Sequence, residues 1–285
     1  MPEPGRARQL DRAATLAAWA AFAVVAGLFV WLLADVAWRG LGALSWEFLT
    51  EAPRRAGRAG GIGPIIVSTL LIVAVAMAVA APLGLACALW LSEYARLSPR
   101  AGRTARASLD ILAGMPSIVF GLFGNALFCV ALGLGFSIVS GGLTLACMAL
   151  PLLIRAVEQG LRAVPDDYRQ AAAALGVSRW TITRQVLLPA AMPGLIAGLV
   201  LGIGRALAET AALIFTSGYV DRMPNSLMDS GRAMSVHVYD LAMNVPGGER
   251  HAYATALVLV GLLLTINGAA AGLGRWWLAR SGVRP

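Results

Sequence analysis

The sequence contains no lysine; all 23 of its basic residues are arginine. A P-loop needs a lysine to reach the β- and γ-phosphates, so ATP hydrolysis by that route is excluded for this chain, as is Schiff-base chemistry on lysine. Histidine and cysteine are almost as scarce. His237 and His251 stand fourteen residues apart with no further ligand at zinc spacing. Cys87, Cys129 and Cys147 each lie inside an apolar run without a CxxC pair, so they read as small packing residues and not as a metal site or a disulfide framework. No metal and no cofactor is expected. Charge is sparse too: 13% of residues are charged, against about 25% in a soluble domain. What fills the space is apolar, 58% of the 285 residues, with a mean hydropathy of +0.72. An ordinary soluble fold is excluded.

The few charges divide the chain into uncharged runs, and a helix needs about 20 apolar residues to cross a bilayer. Runs over 13–34, 62–92, 189–218 and 252–274 predict four spans. Between Asp110 and Arg155 lie 44 uncharged residues interrupted by a glycine-rich stretch at 133–142, which predicts two more spans joined by a turn. The 13–34 run is too long for a signal-peptide core and lacks a small-residue cleavage site, so it reads as a span. Six spans put both termini on one side. With the N-terminus inside, the inner segments hold 15 arginines and the outer ones 7, the bias of cytoplasmic loops. The net charge of +8 therefore sets topology and does not signal a nucleic-acid partner. The expected organisation is a cytoplasmic N-terminus (1–12), a first span with an outer loop (13–61), a five-span core (62–279) carrying a cytoplasmic loop at 160–189, and a cytoplasmic tail (280–285). The fold class is all-α integral membrane protein.

The loop at 160–189 has local helix signals. Pro165 with Asp166 and Asp167 opens a helix, the run from Tyr168 to Leu175 favours it, and Gly176 ends it. Ser178 caps a second short helix, 179–185, expected to stop before Pro189. By itself this is a helix–glycine turn–helix at the membrane face, and an interfacial amphipathic hairpin would read the same way. The spacing of Gln170-Ala171-Ala172, then Gly176, then Val186-Leu187-Leu188-Pro189 resembles the EAA loop of ABC-transporter permeases, with Gln170 in place of the glutamate and Val186 in place of the isoleucine. That resemblance implies an ATPase-coupling role for Gln170, Ala171, Ala172, Gly176, Leu188 and Pro189, and a type I, MetI-like importer fold.

Three further stretches narrow the resemblance. Gly60-Gly61-Ile62-Gly63-Pro64, the run from Leu112 to Gly124 and Gly204-Arg205-Ala206-Leu207-Ala208-Glu209-Thr210-Ala211 are similar to the PstA family of phosphate permeases, with Ala208 and Ala212 departing from that family's G-E-T-A-P motif. The resemblance implies a PstC-like second permease, two copies of a PstB-like ATPase and an external PstS-like phosphate-binding protein, all at a bacterial inner membrane.

Arg205 and Glu209 fall inside the predicted fifth span, where each charge costs at least about 2.5–3.5 kcal/mol. On one continuous helix at about 100° per residue, Gly194, Gly198, Gly202, Arg205, Glu209, Ala212 and Thr216 share one stripe facing the bundle interior. Two readings follow: a buried i, i+4 ion pair that holds helices together, or a guanidinium that meets a transported oxyanion, with Glu209, Thr210 and Thr216 alongside it. The sequence therefore predicts a permease subunit that forms a phosphate pathway and does no bond chemistry itself. A permease for phosphite, sulfate or molybdate, or a non-transporting membrane scaffold, are the alternatives. Trp276 and Trp277 read as an interfacial anchor, Asn125 as a hydrogen bond to a neighbouring helix, and 219–250 as an outer loop.

Overall fold

A computed structural model describes residues 4–95 and 98–281; Arg96 and the tail residues 282–285 lie outside the described residues, as do the side chains of Arg179 and Trp277. Among the described residues the regular elements are helices apart from one two-stranded hairpin, with irregular stretches at 132–137 and 215–233. In order it forms α1 (Pro4–Leu41), α2 (Trp46–Thr50), the antiparallel pair β1 (Pro53–Arg54) and β2 (Ala59–Gly60), α3 (Gly63–Leu89), α4 (Pro99–Gly114), α5 (Ser117–Gly124), α6 (Ile138–Arg162), α7 (Asp166–Ala174), α8 (Arg179–Ile182), α9 (Leu188–Ala208), α10 (Ala211–Ile214), α11 (Met234–Met243) and α12 (Glu249–Ser281). Wider π-helical turns follow α3 (Trp90–Tyr94), α5 (Asn125–Ala131) and α8 (Thr183–Leu187).

Among the described residues five helices are long and apolar enough to cross a membrane, or six if the bent pair Pro99–Gly114 and Ser117–Ala131 counts as one span. Helix α6 is the central post, packed against α3 and α9. Glycines set the closeness of that contact. A Cβ on Gly194 would lie 2.7 Å from the Gly160 Cα, so the backbones of α6 and α9 touch without side chains between them. Helix α1 lies outside this core and packs on α12, where the Arg39 guanidinium sits 5.1 Å from the centre of the Tyr253 ring. Its Trp19, Phe22, Phe29 and Trp31 are exposed on the single chain, as a lipid-facing helix requires.

Three expectations need correction. The third span does not start at Asp110: residues 111–114 finish the amphipathic α4, and the chain turns by 101° at Met115-Pro116 before entering the membrane as α5. A residue before proline is pushed out of the helical region, and Met115 has ψ 137. The helix expected to stop before Pro189 instead runs on into the fifth span, one helix over Trp180–Ala208. The π-helical turn just before Pro189 widens the backbone where the proline ring would collide with a carbonyl one turn back. The fifth span in turn ends at Ala208 and not near Gly218, because Glu209 is extended (φ −78, ψ 129).

Part of 219–250 is also more than a loop. Helix α11 buries Met234, Val236, His237 and Leu241 against α12 and α3. Its entry is held by the Thr69 hydroxyl, which accepts from the Met234 N–H at 2.9 Å.

Candidate functional site

The hairpin that follows Pro165 forms as its turn residues dictate. Pro165 precedes the first turn of α7, and Gly176 takes φ +67, a left-handed conformation that an L side chain resists. The Val177 N–H then reaches the Ala172 carbonyl (3.1 Å) and closes the end of the helix. The Ser178 hydroxyl accepts from the Thr181 N–H at 3.2 Å and caps α8. No residue of α7 is buried; Gln170 and Ala171 are exposed and Ala172 half-buried. Tyr168, Leu175 and Trp180 expose large apolar surface on the same hairpin. Leu188 and Pro189 sit in the first turn of α9, where the hairpin is continuous with the membrane helix.

An arginine–carboxylate network ties this hairpin to the spans. Arg169 of α7 bonds Glu93, at the end of the second span, at 2.9 Å, and also reaches the carbonyls of Leu161 and Val164. Glu158 of α6 is 3% exposed and receives both Arg106 of α4 and Arg162, each at 2.9 Å. Arg106 also donates to the Leu91 carbonyl (2.9 Å), and Arg155 pairs with Asp110. Thus α3, α4, α6 and α7 are cross-linked at one end of the bundle. In the sequence these arginines signal topology alone. The Glu158–Arg162 spacing is legible there as an i, i+4 pair, but partners 52 and 76 residues apart are not.

At the other end of the fifth span the predicted stripe divides. Gly194 and Gly198 face α6, as expected of small residues, with Gly160 and Ala156 as their neighbours. Arg205 occupies the last turn of α9 with its side chain exposed, a position where the helix dipole favours a cation. Since Glu209 has left the helix, the two are no longer one turn apart on one face, and among the described residues no ion pair joins them. Glu209 turns back instead and accepts from the Ala212 N–H at 3.3 Å, while its carbonyl accepts from the Ser235 hydroxyl at 2.5 Å. Thr210, half-buried, lies in the break, and its carbonyl receives the Ile214 N–H (3.2 Å). Thr216 is fully buried, with its hydroxyl bonded to the Ala212 carbonyl (2.9 Å). The Asn125 amide donates to the Phe215 carbonyl at 2.8 Å, so that residue does bond a neighbouring element. Trp276 is exposed near the other end of α12.

A bundle with up to six candidate spans, an exposed helix–turn–helix ion-paired to several of them and a broken helix at the opposite end makes this an integral membrane helical bundle. The family described as binding-protein-dependent transport system inner membrane component matches residues 80–275, and the chain belongs to that family. It is the membrane-spanning component of an ABC importer, a class that works with an ATPase and a binding protein. The chain is 34% identical over 272 residues to a phosphate transport system permease protein PstA 1 of Mycobacterium tuberculosis, covering 93% of this chain and 88% of that one. It is 32% identical over 267 residues to the probable ABC transporter permease protein YqgI of Bacillus subtilis, covering 88% and 90%. Among solved structures the fold is similar to an inward-facing MetNI methionine ABC transporter (TM-score 0.59, 18% identity, 76% of this chain and 94% of that one). It is likewise similar to a bacterial ABC transporter that imports alginate (TM-score 0.60, 15% identity, 90% and 95%).

Proposed function

We propose that this chain is the PstA-type permease of an inorganic phosphate importer, paired with a PstC-like permease, two PstB-like ATPase subunits and an external PstS-like binding protein. The observation that carries the reading is the similarity to PstA proteins over nearly the whole length, together with an exposed coupling hairpin of the matching spacing. In this reading both termini face the cytoplasm, a placement supported by the arginine bias of 15 to 7 between the two sets of loops. The chain has no ATPase site of its own, consistent with its lack of lysine.

The hairpin residues Gln170, Ala171, Ala172 and Gly176 meet the ATPase, and Leu188 and Pro189 carry its motion into the fifth span. The Arg169–Glu93 bridge transmits the same displacement to the second span, so closing of the ATPase rocks α9 and α3 together. On the pathway side Arg205, Glu209 and Thr210 bracket the helix break. An exposed guanidinium offers paired donors to a tetrahedral oxyanion, and the neighbouring carboxylate keeps the anion from binding too tightly to leave. Thr216, whose hydroxyl is committed to its own helix, holds the turn behind them.

The test is uptake of labelled phosphate by cells that depend on this importer. Arg205→Ala abolishes uptake while the protein stays in the membrane, and Arg205→Lys retains a fraction of it. Wild-type uptake in both variants overturns the pathway role. Uptake blocked by excess sulfate or molybdate but not by phosphate overturns the choice of anion.

A further inference from the structure

A second basic site lies on the cytoplasmic side, away from the pathway residues. One face of α4, carrying Pro99, Arg103, Arg106, Ala107 and Asp110, joins Arg162 of α6 around an open cleft of about 490 Å³. Its charge is unbalanced. Arg106 and Arg162 share the single carboxylate of Glu158, and Asp110 is already paired with Arg155. Arg103 is exposed and makes no ion pair among the described residues. Three guanidinium groups thus line a cleft in which both nearby carboxylates are already engaged. The side chains of Arg106 and Arg162 are 29% and 51% exposed, so they keep surface toward the cleft while bonded to Glu158. The cleft borders the first turn of the 16-residue α4, whose dipole adds positive potential. Helix α4 turns 101° from α5, the helix that continues into the apolar part of the bundle.

We propose that this cleft binds a phosphate-bearing anion from the cytoplasmic side, presented either by an anionic lipid headgroup or as free phosphate. Guanidinium pairs grip phosphate oxygens through two parallel donors, and an open cleft admits either source. A ligand seated there bridges α4 to α6 next to the network that reaches the coupling hairpin. The lipid form of the proposal does not depend on which anion the pathway carries.

The full-length chain, purified in detergent, is titrated with phosphatidylglycerol and, separately, with phosphatidylcholine by native mass spectrometry, and with labelled inorganic phosphate by equilibrium dialysis. Phosphatidylglycerol retained over phosphatidylcholine, and weakened about fivefold by Arg103→Gln, identifies the lipid source. Saturable phosphate binding weakened to the same degree by that variant identifies the free anion. Arg103 has no ion pair to lose, so the variant folds; Arg162→Gln is the second probe, and Arg100→Gln, on α4 but outside the cleft, leaves binding unchanged. Binding of neither ligand above its control, binding indifferent to Arg103→Gln, or equal weakening by Arg100→Gln overturns the proposal.

Discussion

The two ends of this bundle are held together by different physics. At the end opposite the hairpin several joints are close backbone contacts. The Gly61 N–H meets the Ala52 carbonyl (3.2 Å), the Ile62 N–H meets the Phe48 carbonyl (2.7 Å), and a Cβ on Gly61 would fall 2.5 Å from that same Phe48 oxygen. Helix α11 is folded back into the interior above α3 and α12. At the hairpin end the Gly160–Gly194 backbone contact is joined by ion pairs between side chains on four helices, and the hairpin they secure is exposed. Backbone contacts with no room for a Cβ fix one geometry. Guanidinium–carboxylate pairs on long side chains tolerate small relative shifts of the helices that carry them.

The comparison breaks most sharply at Glu158. That carboxylate is nearly inaccessible and serves two arginines at once. Removing it leaves two partly solvated arginines without their shared carboxylate, a loss below the roughly 3–5 kcal/mol of a fully buried pair because solvent screens both guanidinium groups. Glu158→Ala should therefore lower the thermal midpoint of the detergent-solubilised protein more than any other change considered. Glu158→Gln, which keeps an acceptor for the guanidinium groups, should recover part of the loss. An unchanged midpoint in Glu158→Ala would mean that the hairpin end is not held by charge.

At the end opposite the hairpin the next largest effect depends on pH. His237 is 1% exposed, and burial, reinforced by the Arg232 cation and by His251 and only partly opposed by Asp240, pulls its pKa down to about 4 from the usual 6.5. The geometry agrees. Arg232 Nη1 lies 3.3 Å from His237 Nδ1, and a guanidinium can only donate, so Nδ1 is the acceptor of a neutral ring. Arg232 is held in turn by the Tyr219 carbonyl (2.9 Å) and Asp240 (3.3 Å), and Gly57 closes over the ring. Since the folded pKa lies below the unfolded one, the unfolded cap binds the extra proton. Stability is then lost as pH falls from about 6.5 to about 4, and it levels off below that. At pH 5 the change is about 2 kcal/mol for a shift of this kind. Hydrogen-exchange protection in α11, taken relative to the intrinsic exchange rate at each pH, should be lower at pH 5 than at pH 7, and His237→Gln should flatten the dependence. Protection lost equally in the variant would place the pH effect elsewhere.

The same contrast explains what could be read in advance. Features set by local chemistry were legible: the Pro165 start, the Gly176 turn and the Ser178 cap of the hairpin, the long apolar helices, and the glycine stripe from Gly194 to Gly202. Features set by partners distant in sequence were not. The uncharged run after Asp110 hides a change from a surface helix to a span, because Ile111 and Leu112 are apolar in either setting. The break at Glu209 carries no proline or glycine of its own; it is fixed by Ser235 and by Asn125, which bonds the Phe215 carbonyl from α5's end of the bundle. Arg205 and Glu209 look like partners only on a continuous helix. Once the helix stops, one side chain is exposed in the last turn and the other bonds back to Ala212.

The smallest expected effect separates folding from coupling. Gly176 is exposed, at φ +67, with nothing within 4 Å of where a methyl group would stand, so Gly176→Ala meets no steric clash. The cost is the left-handed backbone alone, about 1 kcal/mol, and it falls on a hairpin that contributes no buried residue from α7. The thermal midpoint should barely move, in contrast with Glu158→Ala. The turn that sets the angle between α7 and α8 is nonetheless the one the proposed ATPase contact depends on, so phosphate uptake should fall well below the wild-type rate at equal membrane levels. Asparagine tolerates left-handed φ better than other side chains, and Gly176→Asn should restore much of the uptake. Uptake that follows the thermal midpoint in all three proteins would assign the hairpin to stability; uptake lost in Gly176→Ala and regained in Gly176→Asn, at nearly constant midpoint, assigns it to transmission.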